Sequence, residues 1–289
     1  MPVTILEVIQ RSTDFLAKKG VSSPRLQVEN LLAHVLQMPR MKLYLNFERV
    51  LTPAQMDNVR ELVRRRGQRE PLQYITGTAP FCALELEVSP GVLVPRPETE
   101  LLAERAWKFL QSSSPANGQS LTALELCTGS GCLAVTLALN APASTVHASD
   151  CSAEALEVAR KNASRHGVNI QFHHGDLFAA LDNPLLFFLI VCNPPYIPTG
   201  RLATLEPEVR DHEPRQALDG GADGLDFYRR IAAQGAPFLA PGGRLMLELD
   251  DDFPAAAAEI FERENWIVEA LEPDYNRRPR YLIARRSAA

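Results

Sequence analysis

The chain has no Cys-x-x-Cys pair, no internal repeat, and no apolar run longer than the eight residues of Leu185–Cys192. Each absence excludes a class. Five cysteines without paired spacing (Cys82, Cys127, Cys132, Cys151 and Cys192) argue against a disulfide framework and against a zinc site, and read as free thiols; no metal is expected. Eight apolar residues fall far short of the roughly 20 needed to span a membrane. The first residues carry Glu7 within their apolar stretch and no positively charged start, so neither a leader nor a membrane contact is expected, and the cytoplasm is the expected compartment. Positive charge is scarce where a nucleic-acid enzyme would want it. Residues 1–80 hold 12 Lys+Arg against 7 Asp+Glu, whereas the rest hold 18 against 28. So acidic a C-terminal part disfavours direct binding of nucleic acid. The run Arg64, Arg65, Arg66 with Arg69 reads as a solvated helix face, with an anionic partner as the alternative.

What is present divides the 289 residues into three stretches. Residues 1–76 read as a helical module: Thr4 and Glu7 make a capping box, Pro24 follows Ser23 at a first helical position, and Thr52-Pro53-Ala54-Gln55 combines both devices. Residues 77–97 switch to alternation, "FCALELEVSPGVLVP", with a turn expected at Ser89-Pro90-Gly91, and read as a β-hairpin linker. Residues 98–289 open with a helix near Glu98 and a polar loop over 111–120. From Thr122 strands and helices alternate, the pattern of a parallel sheet covered on both faces. The closing strands "WIVEAL" and "YLIARR" are joined by "EPDYNRRPR", too short for a helical crossover, which predicts an antiparallel last strand.

Two motifs carry chemistry. The turn "ELCTGSGC" joins a first strand to its helix, where glycine permits a tight turn and a helix N-terminus offers free N–H groups to a nucleotide-like ligand. Asp150 closes the second strand, where a carboxylate can accept both hydroxyls of a ribose. The second motif is "VCNPPYI". Its prolines cannot extend a sheet, but they stiffen a clamp in which the Asn193 side-chain carbonyl and the Pro194 backbone carbonyl accept N–H groups of a planar amide or amine, with Tyr196 packing on it. A G-x-G turn with an acidic second strand and "NPPY" after the fourth suits S-adenosylmethionine better than a dinucleotide. Gly129, Asp150, Asp176 and Asn193 are expected to border one crevice, where positioning rather than a strong base is the main catalytic contribution.

"NPPY" resembles the motif of methyltransferases acting on nitrogen attached to a planar system. "GVLVPRPETELL" (91–102), "EPEVRDHEPRQALDGGADGLDFYRRI" (206–231) and the helical module together resemble the glutamine methyltransferases of bacterial peptide chain release factors, over nearly the whole chain. The resemblance implies an α/β fold with a Rossmann-like, seven-stranded, mostly parallel methyltransferase sheet, its last strand antiparallel, and a small N-terminal helical domain. It also implies methylation of the glutamine of a Gly-Gly-Gln loop with S-adenosylmethionine as donor; a monomer is the expected state. By position, Cys127, Thr128, Gly129, Ser130 and Gly131 would wrap the donor's methionine part, Asp150 its ribose, and Leu177 after Asp176 its adenine. Asn193, Pro194, Pro195 and Tyr196 would hold the glutamine amide, Asn193 also bordering the donor, and the helical module, steered by its arginines, would hold the release factor. Cys127 stands where the family has its first glycine and is expected to keep φ below zero, away from the donor. Phe188 and "ELDDDF" (248–253) also depart from the family pattern, at positions expected to give support. A ribosomal-protein glutamine methyltransferase, an RNA or DNA amino-methyltransferase and a non-catalytic binding module remain open alternatives.

Overall fold

Helix α1 (Ile5–Lys18) starts where its capping box closes: the Glu7 N–H donates to Thr4 Oγ1 at 3.3 Å and the Thr4 N–H to Glu7 Oε2 at 2.9 Å. The same exchange between Thr52 and Gln55 starts α4 (Pro53–Gly67). Helix α2 (Pro24–Leu36) uses only its proline, because Ser23 lies in the left-handed region and makes no capping bond. With α3 (Arg40–Leu43) and α5 (Leu72–Thr76) these helices enclose a core in which Ile5, Val8, Ile9, Leu16, Val28, Leu31 and Leu32 recur at helical spacing. A computed structural model describes residues 3–113, 120–181 and 185–287. In it the chain forms two compact units: Met1–Thr78 with Glu206–His212, and Ala79–Leu205 with Glu213–Ala289.

The arginine run of the first unit is a solvated face only at Arg64, whose side chain is 55% exposed; Arg65, Arg66 and Arg69 are turned to carboxylates within the unit and form no free patch. Arg64 pairs with Glu61 at 2.6 Å and Arg65 with Glu70 at 2.5 Å. Arg66 is only 3% exposed; it donates to Gln27 at 3.0 Å and to Glu208 at 2.6 Å, and Arg69 reaches the other oxygen of Glu208 at 2.5 Å. These groups are spent on one another. Replacing Glu208 by alanine would leave the Arg66 guanidinium buried without its anion, and is expected to lower the stability of the helical unit by about 3 kcal/mol. Urea unfolding followed by circular dichroism checks this, and an unchanged midpoint would show that the pair contributes nothing net.

In the second unit the hairpin β1 (Thr78–Phe81) and β2 (Leu84–Glu87) turns at Cys82 and Ala83, with φ of 49° and 63°; the turn expected at Ser89–Gly91 is present, its Val92 N–H donating to the Ser89 carbonyl at 3.0 Å, but it follows β2 and closes no hairpin. Two successive left-handed residues match the twist of the flanking strands. The Cys82 N–H donates to Glu100 at 2.9 Å, which holds the strained turn. Next come α6 (Pro97–Ser112), β3 (Thr122–Leu126), α7 (Cys132–Asn140), β4 (Thr145–Asp150), α8 (Ala153–Arg165), β5 (Ile170–His174) and β6 (Phe187–Cys192). The short helix α9 (Pro207–Arg210) belongs to the first unit. After it the chain adds α10 (Asp226–Gly235), β7 (Leu239–Glu248), α11 (Pro254–Arg263), β8 (Trp266–Pro273) and β9 (Pro279–Arg286). Helix α6 takes in the start of the stretch expected to be a polar loop, of which residues 114–119 lie outside the described ones.

The large sheet has seven strands in the order β5-β4-β3-β6-β7-β9-β8, and only β9 runs against the others. Strand order reverses at β3, which pairs with β4 on one side and β6 on the other, so a crevice opens beyond their carboxyl ends. Leu126 is level with both Ser149 and Cys192, so residues 127, 150 and 193 leave the sheet side by side. Phe188 stacks on Phe109 of α6 at 5.2 Å between ring centroids, seating that helix on the sheet. Among the described residues no helix is long and apolar enough to cross a membrane.

Candidate active site

The turn after β3 is built on left-handed backbone, with φ of 55° at Cys127, 54° at Gly129 and 79° at Gly131. Cys127 therefore lies in the left-handed region that favours glycine, contrary to the expectation of a negative φ, at a cost of about 1–2 kcal/mol. The surrounding bonds impose it. The Thr128 N–H donates to the Ser149 carbonyl at 3.0 Å and the Gly131 N–H to the Thr128 carbonyl at 2.8 Å. Glu125, buried in β3, accepts from the Thr128 hydroxyl at 2.5 Å and from the Ala134 N–H at 2.9 Å, tying the turn to the start of α7. At Gly129 a β-carbon would meet no atom within 4 Å, so the backbone lies bare toward the crevice. Asp150 accepts the Gly129 N–H at 2.9 Å on one oxygen and the Ser152 N–H at 2.8 Å on the other, which fixes the carboxylate against the turn.

A cavity of about 530 Å³ occupies the crevice. Cys127, Gly129, Asp150, Asp176, Asn193 and Pro195 line it. Thr128, Ser130 and Gly131 are buried behind it, Leu177 is packed into the core beside Phe178, and Pro194 is buried as well. Four segments that the sequence did not assign to the site also line it: Pro90–Leu93, Cys151–Ser152, Pro214 with Gln216, and Phe227 with Arg230 on α10. Arg230 pairs with Asp176 at 2.6 Å and lies over the Phe227 ring at 5.5 Å. Arg96 of "PRPETE" pairs at 2.7 Å with the buried Glu213 of "DHEPRQ", joining the two stretches that carry the family resemblance.

Beyond β6 the segment Asn193–Ile197 is held from two sides. The Ile197 N–H donates to the Leu218 carbonyl and the Gly220 N–H to the Ile197 carbonyl, both at 2.9 Å. A β-carbon at Gly220 would fall 2.7 Å from Tyr196 Cα, so "DGGADG" approaches this closely because it lacks side chains. On the other side Asn193 Nδ2 donates to Thr99 Oγ1 at 3.1 Å, and the Thr99 hydroxyl donates to Glu248 Oε2 at 2.7 Å. The Tyr196 hydroxyl donates to Glu248 Oε1 at 3.3 Å, so its ring packs on the core and does not line the cavity.

Two buried carboxyls support this machinery, and both titrate late. Burial pushes Glu125 up to about 8 and Glu248 up to about 7, against the pull of their hydrogen-bond donors. The folded chain thus keeps protons that the unfolded chain releases near 4.5. Their contribution to stability is complete below that pH, falls as pH rises through about 8, and is constant beyond, a loss on the order of a few kcal/mol. Urea midpoints measured at pH 5.5, 7 and 8.5 are expected to decrease in that order; a rising series would contradict the raised values.

The seven-stranded sheet, its switch-point crevice and the bared glycine turn latched by Asp150 are those of an S-adenosylmethionine-dependent methyltransferase. Residues 7–77 match the family described as the PrmC N-terminal domain, and residues 104–205 the methyltransferase small domain. The release factor glutamine methyltransferase of Geobacter sulfurreducens is 46% identical over 246 residues, covering 85% of this chain and 84% of its own. That of Chlorobaculum tepidum is 41% identical over 286 residues, covering 96% of each. The chain belongs to the release factor glutamine methyltransferase family. The fold itself recurs in a methyltransferase from Pyrococcus furiosus, with a TM-score of 0.51 and 20% identity over 70% of this chain and 89% of that one.

Proposed function

We propose that this protein methylates the side-chain amide nitrogen of the glutamine in the Gly-Gly-Gln motif of a peptide chain release factor, with S-adenosylmethionine as donor. The observation that carries the reading is that Asn193 borders the same cavity as Gly129 and Asp150. The volume of about 530 Å³ suits a nucleoside-sized ligand, and Asp150 and Asp176 in its lining suit a donor with two ribose hydroxyls and net positive charge. When bound, S-adenosylmethionine supplies a methyl group on a sulfonium, an electrophile that requires no strong base.

The residues of the chain have the task of positioning. An amide nitrogen is a weak nucleophile, because its lone pair is delocalised into the carbonyl. Asn193 Oδ1 and the Pro194 carbonyl accept its N–H groups, hold it in line and stabilise the positive charge that develops on nitrogen. As the new C–N bond forms the methyl–sulfur bond breaks, its electron pair staying on sulfur as a neutral thioether, and the amide proton leaves to solvent. The prolines, with Gly220 packed against Tyr196, keep this clamp rigid. The helical unit would grip the release factor. Arg65, Arg66 and Arg69 are engaged within the unit, but the exposed Leu26, Met41 and Leu45 offer apolar contact.

The test is incubation with methyl-labelled donor and a release factor, followed by mass mapping of the product. Label on the Gly-Gly-Gln glutamine, abolished in Asn193→Ala, is the expected result. Label on another residue, or on RNA alone, would overturn the assignment.

A further inference from the structure

Glu248 stands at the root of both polar residues of "NPPY". One carboxylate oxygen accepts from the Thr99 hydroxyl, which in turn accepts from Asn193; the other accepts from the Tyr196 hydroxyl. The carboxyl is only 1% exposed at the end of β7, and the Glu248 backbone carbonyl accepts from the buried Tyr228 hydroxyl at 3.0 Å. Thr99 is 2% exposed, on the first turn of α6. These contacts have a direction. An ionised carboxylate only accepts, so the single Thr99 proton goes to Glu248, and the Thr99 oxygen can then only accept. Of the two ends of the Asn193 amide, only the NH2 end can face it. The carbonyl end then has no donor from the protein among the described residues.

We infer that Thr99 and Glu248 are positioning residues, a relay that holds the Asn193 amide with its oxygen toward the acceptor and so decides that this side chain takes a substrate N–H and does not offer its own. The inference rests on the reading of Asn193 as the amide clamp. Reversing the relay would put an N–H donor where the reaction needs an acceptor.

The relay's direction depends on the charge of Glu248. Arg280 of β9 favours the ionised form and Glu98 of α6 opposes it; the remaining facing groups, Tyr196, Tyr228 of α10 and Tyr281 of β9, stay neutral across the working range. Burial raises the carboxyl to about 7. A protonated Glu248 can donate to Thr99, freeing the Thr99 hydroxyl to donate to Asn193 Oδ1. Turnover should therefore rise with pH through about 7.

The experiment compares Thr99→Val, Thr99→Ser and Glu248→Gln with wild type, on a full-length release factor, reading kcat, KM and donor Kd from pH 5.5 to 8.5. Thr99→Val and Glu248→Gln are expected to lose roughly 30-fold in kcat, short of the ~100-fold that an ångström of misplacement can cost, with KM and donor Kd within about twofold. Thr99→Ser, which keeps the hydroxyl, is expected to stay within about threefold of wild type, and Glu248→Gln to lose the rise near pH 7. Wild-type kcat in folded Thr99→Val, or equal losses in the valine and serine variants, would overturn the relay. So would a pH profile of Glu248→Gln that matches wild type, a result still readable if the valine variant fails to fold. An active Asn193→Ala would remove the parent reading too, whereas an inactive one beside an active Thr99→Val removes the relay alone.

Discussion

Asn193→Ala is expected to reduce turnover of a release factor by roughly 100- to 1,000-fold while leaving donor affinity within about threefold. Both halves of that expectation follow from where the side chain sits. It leaves the end of β6 level with Cys127 and Asp150, borders the cavity, and has its NH2 end engaged by Thr99. What alanine removes is a fixed acceptor for an N–H that grows more acidic as nitrogen takes up the methyl group. Such a contact strengthens toward the transition state, and its loss falls on kcat more than on binding. Asp150 and the glycine turn do not hydrogen-bond to Asn193, so the donor's own contacts survive. Single-turnover rates with saturating donor, beside calorimetric donor affinity, separate the two. A variant that lost donor affinity and kept its single-turnover rate would place Asn193 in the donor site alone.

The second large effect is expected at Asp150. Asp150→Ala should weaken S-adenosylmethionine binding by roughly 100- to 1,000-fold, because it removes a charged acceptor for the ribose and unlatches the turn at once. The carboxylate holds the N–H groups of Gly129 and Ser152 at 2.9 and 2.8 Å. Hydrogen bonds to a charged partner are worth about 1.5–3 kcal/mol each, and every 1.4 kcal/mol is about tenfold in affinity. Asp150→Asn keeps one accepting oxygen and should lose less than the alanine variant. Titration calorimetry decides, and equal affinity in wild type and Asp150→Ala would remove the ribose assignment.

What could be read from the sequence follows the range over which each feature is determined. The antiparallel last strand was legible because the length of "EPDYNRRPR" excludes a crossover, and β9 alone runs against the sheet. The helix starts at Thr4 and Thr52 were legible because a capping box spans three residues. Both glycine turn and "NPPY" were placed at the crevice by strand order alone. The hairpin turn was not legible, since Cys82 and Ala83 carry no glycine or asparagine to announce their left-handed backbone. Cys127 misled for the same reason in reverse: its side chain argued for a negative φ, and a network anchored on Glu125 overrode it. Arg66 misled because its carboxylate partner, Glu208, lies 142 residues away. Thr99, Glu248, Phe227 and Arg230 were missed in another way. Each lies in a stretch that stood out in the sequence, 91–102, 206–231 or 248–253, but on a different element from the motif it serves, so its place at the site came only with the fold.

The excursion of Glu206–His212 into the helical unit has a consequence for the order in which the protein is made. A ribosome that has finished residue 78 has not yet supplied Glu208, so Arg66 and Arg69 emerge without the carboxylate they share. At ordinary synthesis rates of about 5–20 residues per second, the intervening chain takes roughly ten seconds to appear. During that interval the helices can collapse on their apolar core and Arg64 and Arg65 can find Glu61 and Glu70, but Arg66 and Arg69 stay uncompensated. The N-terminal unit is first in the gene and is completed only after the six strands β1 to β6 have been synthesised.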